Sequence, residues 1–432
     1  MFEQELEKLA TAIRTEVVKY KKAHSVQTRR YVRVRRRDFS LKYRLNPAFA
    51  NFAPTRIEED AWDWSDEERF QNSVVKSLKE YDSLVSVLGQ NAASVEGFAR
   101  SLCFVSFHGL GDDELKERVN AFGHELAGEP LPVSVIAFID GISIPDSPLA
   151  IADNLILRQP TPDDLAEDIL VDEYGGFSFP LGETWFSVVG EFVFDAISTG
   201  CAQEEFLRVA EALRLFRVGG ITTTRYRMRS RHSYLQGGVG TLSGGGPGHY
   251  SPFTYTLISS DTAALKKFLA DVAPLLPNPL QLDKAATEKE IAYTRYRDAL
   301  FQGGPSEKAI TSAMTALEAL FLKGEPELTH RLAQRVAVFL RVLGTQPDAQ
   351  NTYDKVKKGY KIRSTFIHGS SSNDQAGSDA IAPVLLEYAR ECVLAYFQTA
   401  TSKSDLLNQL DEAMIDPACA DIAASLAHVV HK

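Results

Sequence analysis

The chain opens with a helical pattern of apolar residues. Within residues 2–22 an apolar side chain recurs at every third or fourth position: Phe2, Leu6, Leu9, Ile13 and Val17. This spacing places them on one face of an amphipathic helix. Residues 39–45 instead alternate between apolar and polar side chains, which predicts a half-buried strand whose partner is the arginine-rich segment before it.

Apolar runs rich in β-branched residues predict further strands in the first 270 residues. These runs cover residues 101–107, 133–144, 185–194 and 253–258. Helical periodicity occurs between them at 204–216 and after them at 262–276. The N-terminal part of the chain is therefore predicted to mix helices and strands.

Beyond residue 278 the pattern is helical throughout. Helices are predicted at 284–302, 306–323, 327–343, 351–367, 378–400 and 403–431. Because Pro277 and Pro279 interrupt the pattern, they mark the predicted boundary between two domains, 1–278 and 279–432. The predicted fold class is α+β, with an N-terminal mixed α/β domain followed by an all-α helical bundle.

Composition fits a folded protein. The 432 residues are 44% hydrophobic and 24% charged, and each predicted domain is long enough to bury a core without disulfides. The four cysteines are scattered singly, with no zinc-ligand spacing, so we expect reduced thiols, no metal and no cofactor. The acidic N-terminus has no apolar signal segment and no run approaches a membrane span, so a cytoplasmic protein without membrane association is expected.

One basic segment stands out from a net charge of −10. Residues 19–44 contain eleven bases and one acid. Within this segment Arg33, Arg35 and Arg36 lie between aromatic residues, as on a strand that binds RNA through phosphates and stacked bases. The alternative is that these arginines pair with the acidic run at 58–68 of the same chain.

A second candidate site lies in the helical region, at Arg363 and His368. A histidine can take a proton from a ribose 2′-hydroxyl or give one to the leaving 5′-oxygen, and an arginine can hold the phosphate. The same Arg–His spacing recurs at 118–124, 225–232 and 227–232, so spacing alone is weak evidence. The pair at 363–368 differs because a predicted helix stop, Gly369, follows it. Three lysines precede it: Lys357, Lys358 and Lys361.

Glu318 is a candidate supporting residue because it lies close to the apolar stripe of its predicted helix. An unpaired carboxylate there would be costly, so a basic partner is expected. Arg335 and Arg363 are the two candidates. The pair would either fix the packing of two helices or orient Arg363.

Residues 280–397 resemble the Apea-like branch of the HEPN (higher eukaryotes and prokaryotes nucleotide-binding) superfamily, whose active members are metal-independent ribonucleases. The segments that carry the resemblance are 316–321, 331–335 and 360–369, in the expected order. The family's Arg–His motif falls on Arg363 and His368. Many members have Asn, Asp or His after the arginine, where this chain has Ser364.

The resemblance implies an RNA-cleaving toxin or anti-phage abortive-infection effector that leaves 2′,3′-cyclic phosphate ends. It also implies a homodimer formed through the helical domain, with the N-terminal domain as sensor or regulator of an unknown trigger. The alternative is a non-catalytic HEPN module that binds nucleotide or RNA or serves as an interaction platform, with His368 structural. Ser364 favours this alternative.

Overall fold

A computed structural model describes residues 2–24, 28–34, 56–62, 64–88, 92–107, 111–160, 170–171, 188–230, 251–284, 287–301, 303–324, 328–369, 375–416, 420–426 and 429. The chain divides into two compact units. Unit 1 comprises Met1–Phe138, Arg158–Gln203 and Arg225–Leu242. Unit 2 comprises Ile139–Leu157, Glu204–Thr224 and Ser243–Lys432, so it contains the predicted helical segment together with two earlier pieces of chain.

Helices dominate the described residues. They are α1 (Phe2–Ala23), α2 (Trp64–Ser73), α3 (Lys79–Leu88), α4 (Ala92–Phe107), α5 (Asp112–Leu126), α6 (Thr199–Phe216), α7 (Thr262–Val272), α8 (Glu288–Phe301), α9 (Ser306–Phe321), α10 (Leu328–Val342), α11 (Ala349–Ile367), α12 (Gln375–Gln398), α13 (Lys403–Ile415) and α14 (Ala420–Leu426). Every helix in this described part is too short or too polar to traverse a lipid bilayer.

The strands are short by comparison. They are β1 (Thr28–Val34), β2 (Arg56–Trp62), β3 (Leu131–Asp140), β4 (Ile142–Ser143), β5 (Leu149–Ala152), β6 (Leu155–Arg158), β7 (Leu170–Val171), β8 (Val188–Ala196), β9 (Thr222–Ser230) and β10 (Tyr255–Thr256). The predicted mixed α+β class with a helical C-terminal region is confirmed.

Unit 1 has a helical core built on α1. The apolar stripe predicted for the first helix is confirmed at four positions, which are fully shielded from solvent: Leu6, Leu9, Ile13 and Val17. This stripe packs against α3, α4 and α5, where Phe98 and Phe122 stack at 4.2 Å between ring centroids. Burial of this stripe holds the four helices together.

A small three-stranded sheet also belongs to unit 1. Strand β1 pairs antiparallel with β2 on one side and β7 on the other, so the central strand of this small sheet is the arginine-rich one. Strand β3 lies between β8 and β9. The predicted strand at 39–45 lies outside the described residues.

Two predictions were wrong. Residues 101–107 form the last part of α4 rather than a strand, and Leu102 and Cys103 are fully buried there. A short apolar run has the same appearance in a buried helix and in a buried strand. The predicted helix at 403–431 is two helices, α13 and α14, and the sequence has Pro417 shortly after α13 ends.

Unit 2 is organised around α9. This helix packs against α8, α11 and α12, and ten of its residues are buried. At its C-terminal end Phe321 makes edge-on contacts with Phe339 of α10 and Tyr396 of α12, with ring centroids 5.2 and 5.6 Å apart. Strands in this unit form a β5–β6 hairpin and a parallel β4–β10 pair. These contacts fix the helix that carries Glu318.

Candidate functional site

Helix α11 carries most of the predicted site residues. It begins where the Asp348 carboxylate accepts a hydrogen bond from the Asn351 amide at 3.0 Å. It ends at Gly369, whose φ of +77° is readily adopted by glycine and whose amide donates to the Phe366 carbonyl at 3.0 Å. The prediction that Gly369 terminates this helix is confirmed.

Gly359 brings α11 unusually close to its neighbours. A Cβ atom at this position would lie 2.5 Å from Cδ1 of Leu385 on α12 and 3.0 Å from Sδ of Met314 on α9. A larger side chain would therefore require Leu385 and Met314 to shift. This close approach lies one turn before Arg363.

Arg363 forms an ion pair across that contact with Glu318 of α9. Its Nη2 lies 2.8 Å from Oε2 of Glu318, and the two side chains are 21% and 18% exposed. The guanidinium carbon is 5.6 Å from the centre of the Tyr360 ring one turn earlier. Burial raises the pKa of the Glu318 carboxyl above its ordinary value, and the charge of Arg363 opposes that rise. Of the two predicted partners of Glu318, Arg363 is the one the structure pairs with it.

Arg335, the other predicted supporting residue, has a different partner. It is 2% exposed, and both Nε and Nη2 donate to the Asp411 carboxylate of α13 at 2.8 Å. Its Nη1 donates to the Phe321 carbonyl at the end of α9, also at 2.8 Å. Arg335 therefore ties α9, α10 and α13 together. Asp411 could not be predicted as its partner, because the two residues are 76 positions apart in the chain.

His368 lies at the other end of the predicted catalytic pair. It occupies the C-terminal cap of α11, its side chain is exposed, and its amide donates to the Ser364 carbonyl at 3.2 Å. Five residues along a helix correspond to a rotation of about 140°, so Arg363 and His368 project from different sides of α11. The structure brings Arg363 to Glu318 and leaves His368 in solvent.

Two of the three predicted lysines, Lys357 and Lys361, share the side of α11 that carries His368. Lys357, Lys358 and Lys361 are all exposed, whereas Ser364 is half-buried. Successive spacings of four, three and four residues place Lys357, Lys361, Ser364 and His368 along one face of the helix. We call this line of side chains the α11 face.

One aromatic contact on this surface escaped sequence analysis. Nδ1 of His330 on α10 lies 2.8 Å from the Tyr353 hydroxyl on α11, and the two rings meet edge to face at 5.8 Å. Nζ of Lys357 is 5.6 Å from the centre of the Tyr353 ring. The two residues are 23 positions apart, so no local pattern could have joined them.

The basic strand of unit 1 has acidic residues directly across from it. In the β1–β2 pairing Arg30 is opposite Asp60, Val32 is opposite Glu58, and Arg33 is opposite Ile57. Of the candidate arginines in this strand, Arg33 therefore has no acid directly opposite it, whereas its neighbour Arg30 does. Arg35 and Arg36 lie outside the described residues.

The described residues contain no cluster of three or more His, Cys, Asp and Glu side chains able to hold a metal ion. No protein-family model, curated protein or solved structure matches this chain. The site therefore consists of a positioned arginine, an exposed histidine and a basic helix face.

Proposed function

We propose that this protein is a metal-independent endoribonuclease whose site lies at the C-terminal end of α11. The observation that carries the proposal is the placement of exposed His368 on the same face as Lys357 and Lys361, five residues beyond an arginine held by Glu318. Lysines can attract the RNA backbone, and histidine can transfer protons near neutral pH. The HEPN resemblance assigns Arg363 and His368 the same roles.

The proposed reaction is an internal transfer of the phosphate. His368 takes the proton of a ribose 2′-hydroxyl, and the resulting oxygen attacks the adjacent phosphorus atom. The bond from phosphorus to the 5′-oxygen breaks, and that oxygen receives the proton that His368 took, so the histidine ends the reaction in its starting form. The products are a 2′,3′-cyclic phosphate and a 5′-hydroxyl. No metal or other co-reactant takes part in these steps.

Arg363 would stabilise the negative charge that develops on the phosphate. Its guanidinium is 21% exposed and is bound to Glu318 through Nη2, so other N–H groups of the fork are left to turn toward a ligand. Glu318 would act as a positioning residue that restricts the arginine to one orientation. Because Arg363 and His368 leave α11 on different sides, a productive site needs either movement of the arginine or the two residues from different chains.

The second arrangement agrees with the homodimer implied by the HEPN resemblance. In the proposal, the helical domains of two chains come together and each supplies residues to a shared site. A toxin or anti-phage role, with the N-terminal region responding to a trigger, is the biological setting that the same resemblance suggests.

A second candidate function is a non-catalytic module that binds RNA or nucleotide or serves as an interaction platform. The engagement of Arg363 with Glu318 favours it, since an arginine in a stable ion pair is less available to phosphate. Ser364 after the arginine favours it as well. The two candidates differ in whether the RNA backbone is cut.

The test is RNA cleavage in EDTA by the full-length protein. We expect wild-type protein to cut RNA and leave 2′,3′-cyclic phosphate ends. Arg363→Ala and His368→Ala should each lower the rate by about 100-fold or more, as expected for loss of a phosphate-binding or acid–base group. Circular dichroism of each variant separates loss of chemistry from loss of fold.

Two residues elsewhere provide matched controls. His124 is an exposed histidine in the last turn of α5, and Arg217 is a partly buried arginine that donates to the Asp261 carboxylate and the Thr256 carbonyl. His124→Ala and Arg217→Ala should leave cleavage unchanged. A wild-type protein that binds RNA and never cuts it would overturn the nuclease proposal in favour of the binding module.

A further inference from the structure

Helices α10 and α11 form a second basic region, after residues 19–44, in an acidic protein. The sequence of α10 has three arginines and no acid, and that of α11 has five bases and one acid, whereas the whole chain carries a net charge of −10. Arg335 and Arg363 are paired with acids inside the protein, and the exposed bases of the two helices are Arg341, Lys357, Lys358 and Lys361. The two helices pack against each other. The acid of α11, Asp354, accepts a hydrogen bond from the Gln350 amide at 3.2 Å. This charge distribution favours a polyanion as ligand.

An aromatic pair lies at one end of this basic surface. Tyr353 is half-buried and His330 is exposed. The contact at 2.8 Å between the Tyr353 hydroxyl and Nδ1 of His330 restricts both rings. Lys357, 5.6 Å from the tyrosine ring, places a positive charge beside them. Rings held in place can stack on a nucleobase, and the neighbouring cation can bind the phosphate attached to that base.

The aromatic pair and the proposed cleavage site lie on one line. Tyr353 precedes Lys357 by four residues, so Tyr353, Lys357, Lys361 and His368 all fall within about a quarter of the circumference of α11. The rise from Tyr353 to His368 is about 22 Å at 1.5 Å per residue. That length accommodates several nucleotides of an extended strand.

We propose that Tyr353 and His330 form a nucleobase-stacking subsite for single-stranded RNA, and that the strand runs from this subsite along Lys357 and Lys361 to His368. The inference rests on the proposed function for the identity of the ligand. It adds a substrate class: bases in an RNA duplex are stacked on one another and cannot reach a protein ring, whereas bases of a single strand can. Duplex RNA would meet only the lysines.

The experiment measures binding without cleavage. Fluorescence anisotropy of the full-length protein in EDTA would use a labelled 2′-O-methyl RNA of about 12 nucleotides, within the site sizes of single-strand binders, and the same strand in a duplex. The methyl group removes the attacking hydroxyl, so the probe stays intact. Wild-type protein should bind the single strand at least about tenfold more tightly than the duplex, which is the gain from one or two stacked bases.

Substitutions at the aromatic pair separate stacking from charge. Tyr353→Leu should weaken single-strand binding by about 5- to 100-fold and leave duplex binding nearly unchanged, whereas Tyr353→Phe, which keeps the ring, should retain most of the affinity. Because His330 is exposed, His330→Ala tests the subsite without threatening the fold, and a loss of at least about threefold is expected. The half-buried Tyr81 of α3 provides the control Tyr81→Leu, with no effect expected.

Salt dependence tests the lysines on the same line. Lys357→Gln combined with Lys361→Gln should reduce the slope of log affinity against log salt by about 1.4, or about 0.7 per phosphate contact in a single strand. Equal affinity of Tyr353→Leu and wild type for the single strand, or equal wild-type affinity for strand and duplex, would overturn the inference. Selective strand binding without cleavage of unmodified RNA would overturn the proposed function alone, and cleavage with unchanged Tyr353→Leu binding would overturn this inference alone.

Discussion

Two arginines of the helical region, Arg335 and Arg363, differ in how much of the guanidinium the protein itself uses. Arg335 is 2% exposed and donates through three nitrogens to Asp411 and the Phe321 carbonyl. Arg363 is 21% exposed and is paired with Glu318 through one nitrogen. An arginine with every group satisfied inside the fold serves the fold, whereas one with donors left over and access to solvent can also hold a ligand.

The exposure of the partner carboxylates follows the reverse order. Asp411 is 45% exposed, so water solvates it even without its arginine, whereas Glu318 is 18% exposed. Burial raises the pKa of Glu318, so its charged form depends on Arg363. In the Arg335–Asp411 pair a buried arginine binds a carboxylate that water also solvates. In the Arg363–Glu318 pair a mostly buried carboxylate binds a partly exposed arginine.

The largest expected effect is on stability, at Arg335. Arg335→Ala should lower the free energy of unfolding by about 3 kcal/mol, because it leaves the Phe321 carbonyl without a donor and removes the link among three helices. Urea denaturation followed by circular dichroism measures the change. Asp411→Asn, which keeps the shape of the partner, should cost less. A loss below about 1 kcal/mol for Arg335→Ala would show that the two arginines are energetically alike.

A smaller stability effect with a large effect on function is expected at Arg363. Arg363→Ala should cost about 1–2 kcal/mol of stability, less than Arg335→Ala because the unpaired Glu318 carboxyl can take up a proton, while the proposed RNA cleavage falls by about 100-fold. Arg363→Lys keeps the charge but loses the planar fork, so its stability should approach wild type while its activity remains low. Full activity of Arg363→Ala would show that this arginine is structural, like Arg335.

Individual helices and strands could be predicted from the sequence better than the contacts between them. The periodicity of α1 was sufficient because one face of the helix is buried, and Leu6, Leu9 and Ile13 are that face. Periodicity did not identify residues 101–107 as helical. Residues 101–103, 106 and 107 are all buried, so this part of α4 has no single apolar face. The strands that pair with β1 could not be predicted, because β2 and β7 lie further along the sequence and meet β1 only in the folded chain.

The candidate site was predictable in its residues but not in its contacts. Arg363, His368 and the lysines could be named because they are close together in the chain. The choice of Arg363 over Arg335 as partner of Glu318 depends on how α9 and α11 pack together, including their close approach at Gly359. The His330–Tyr353 contact likewise depends on how α10 packs on α11.

The smallest expected effect is a pH dependence specific to the Arg363–Glu318 pair. Because burial raises the folded-state pKa of Glu318 above 4.5, the folded protein binds more protons at this carboxyl than the unfolded chain does. The stabilisation from the protonated form is fully present below pH 4.5 and is lost as pH rises through the folded-state pKa. Glu318→Gln has no carboxyl at this position to titrate. The unfolding free energy of wild type minus that of Glu318→Gln should therefore decrease as pH rises through that range. An opposite slope would mean that Arg363 outweighs burial and holds Glu318 charged, which would make the pair as firmly structural as Arg335 with Asp411.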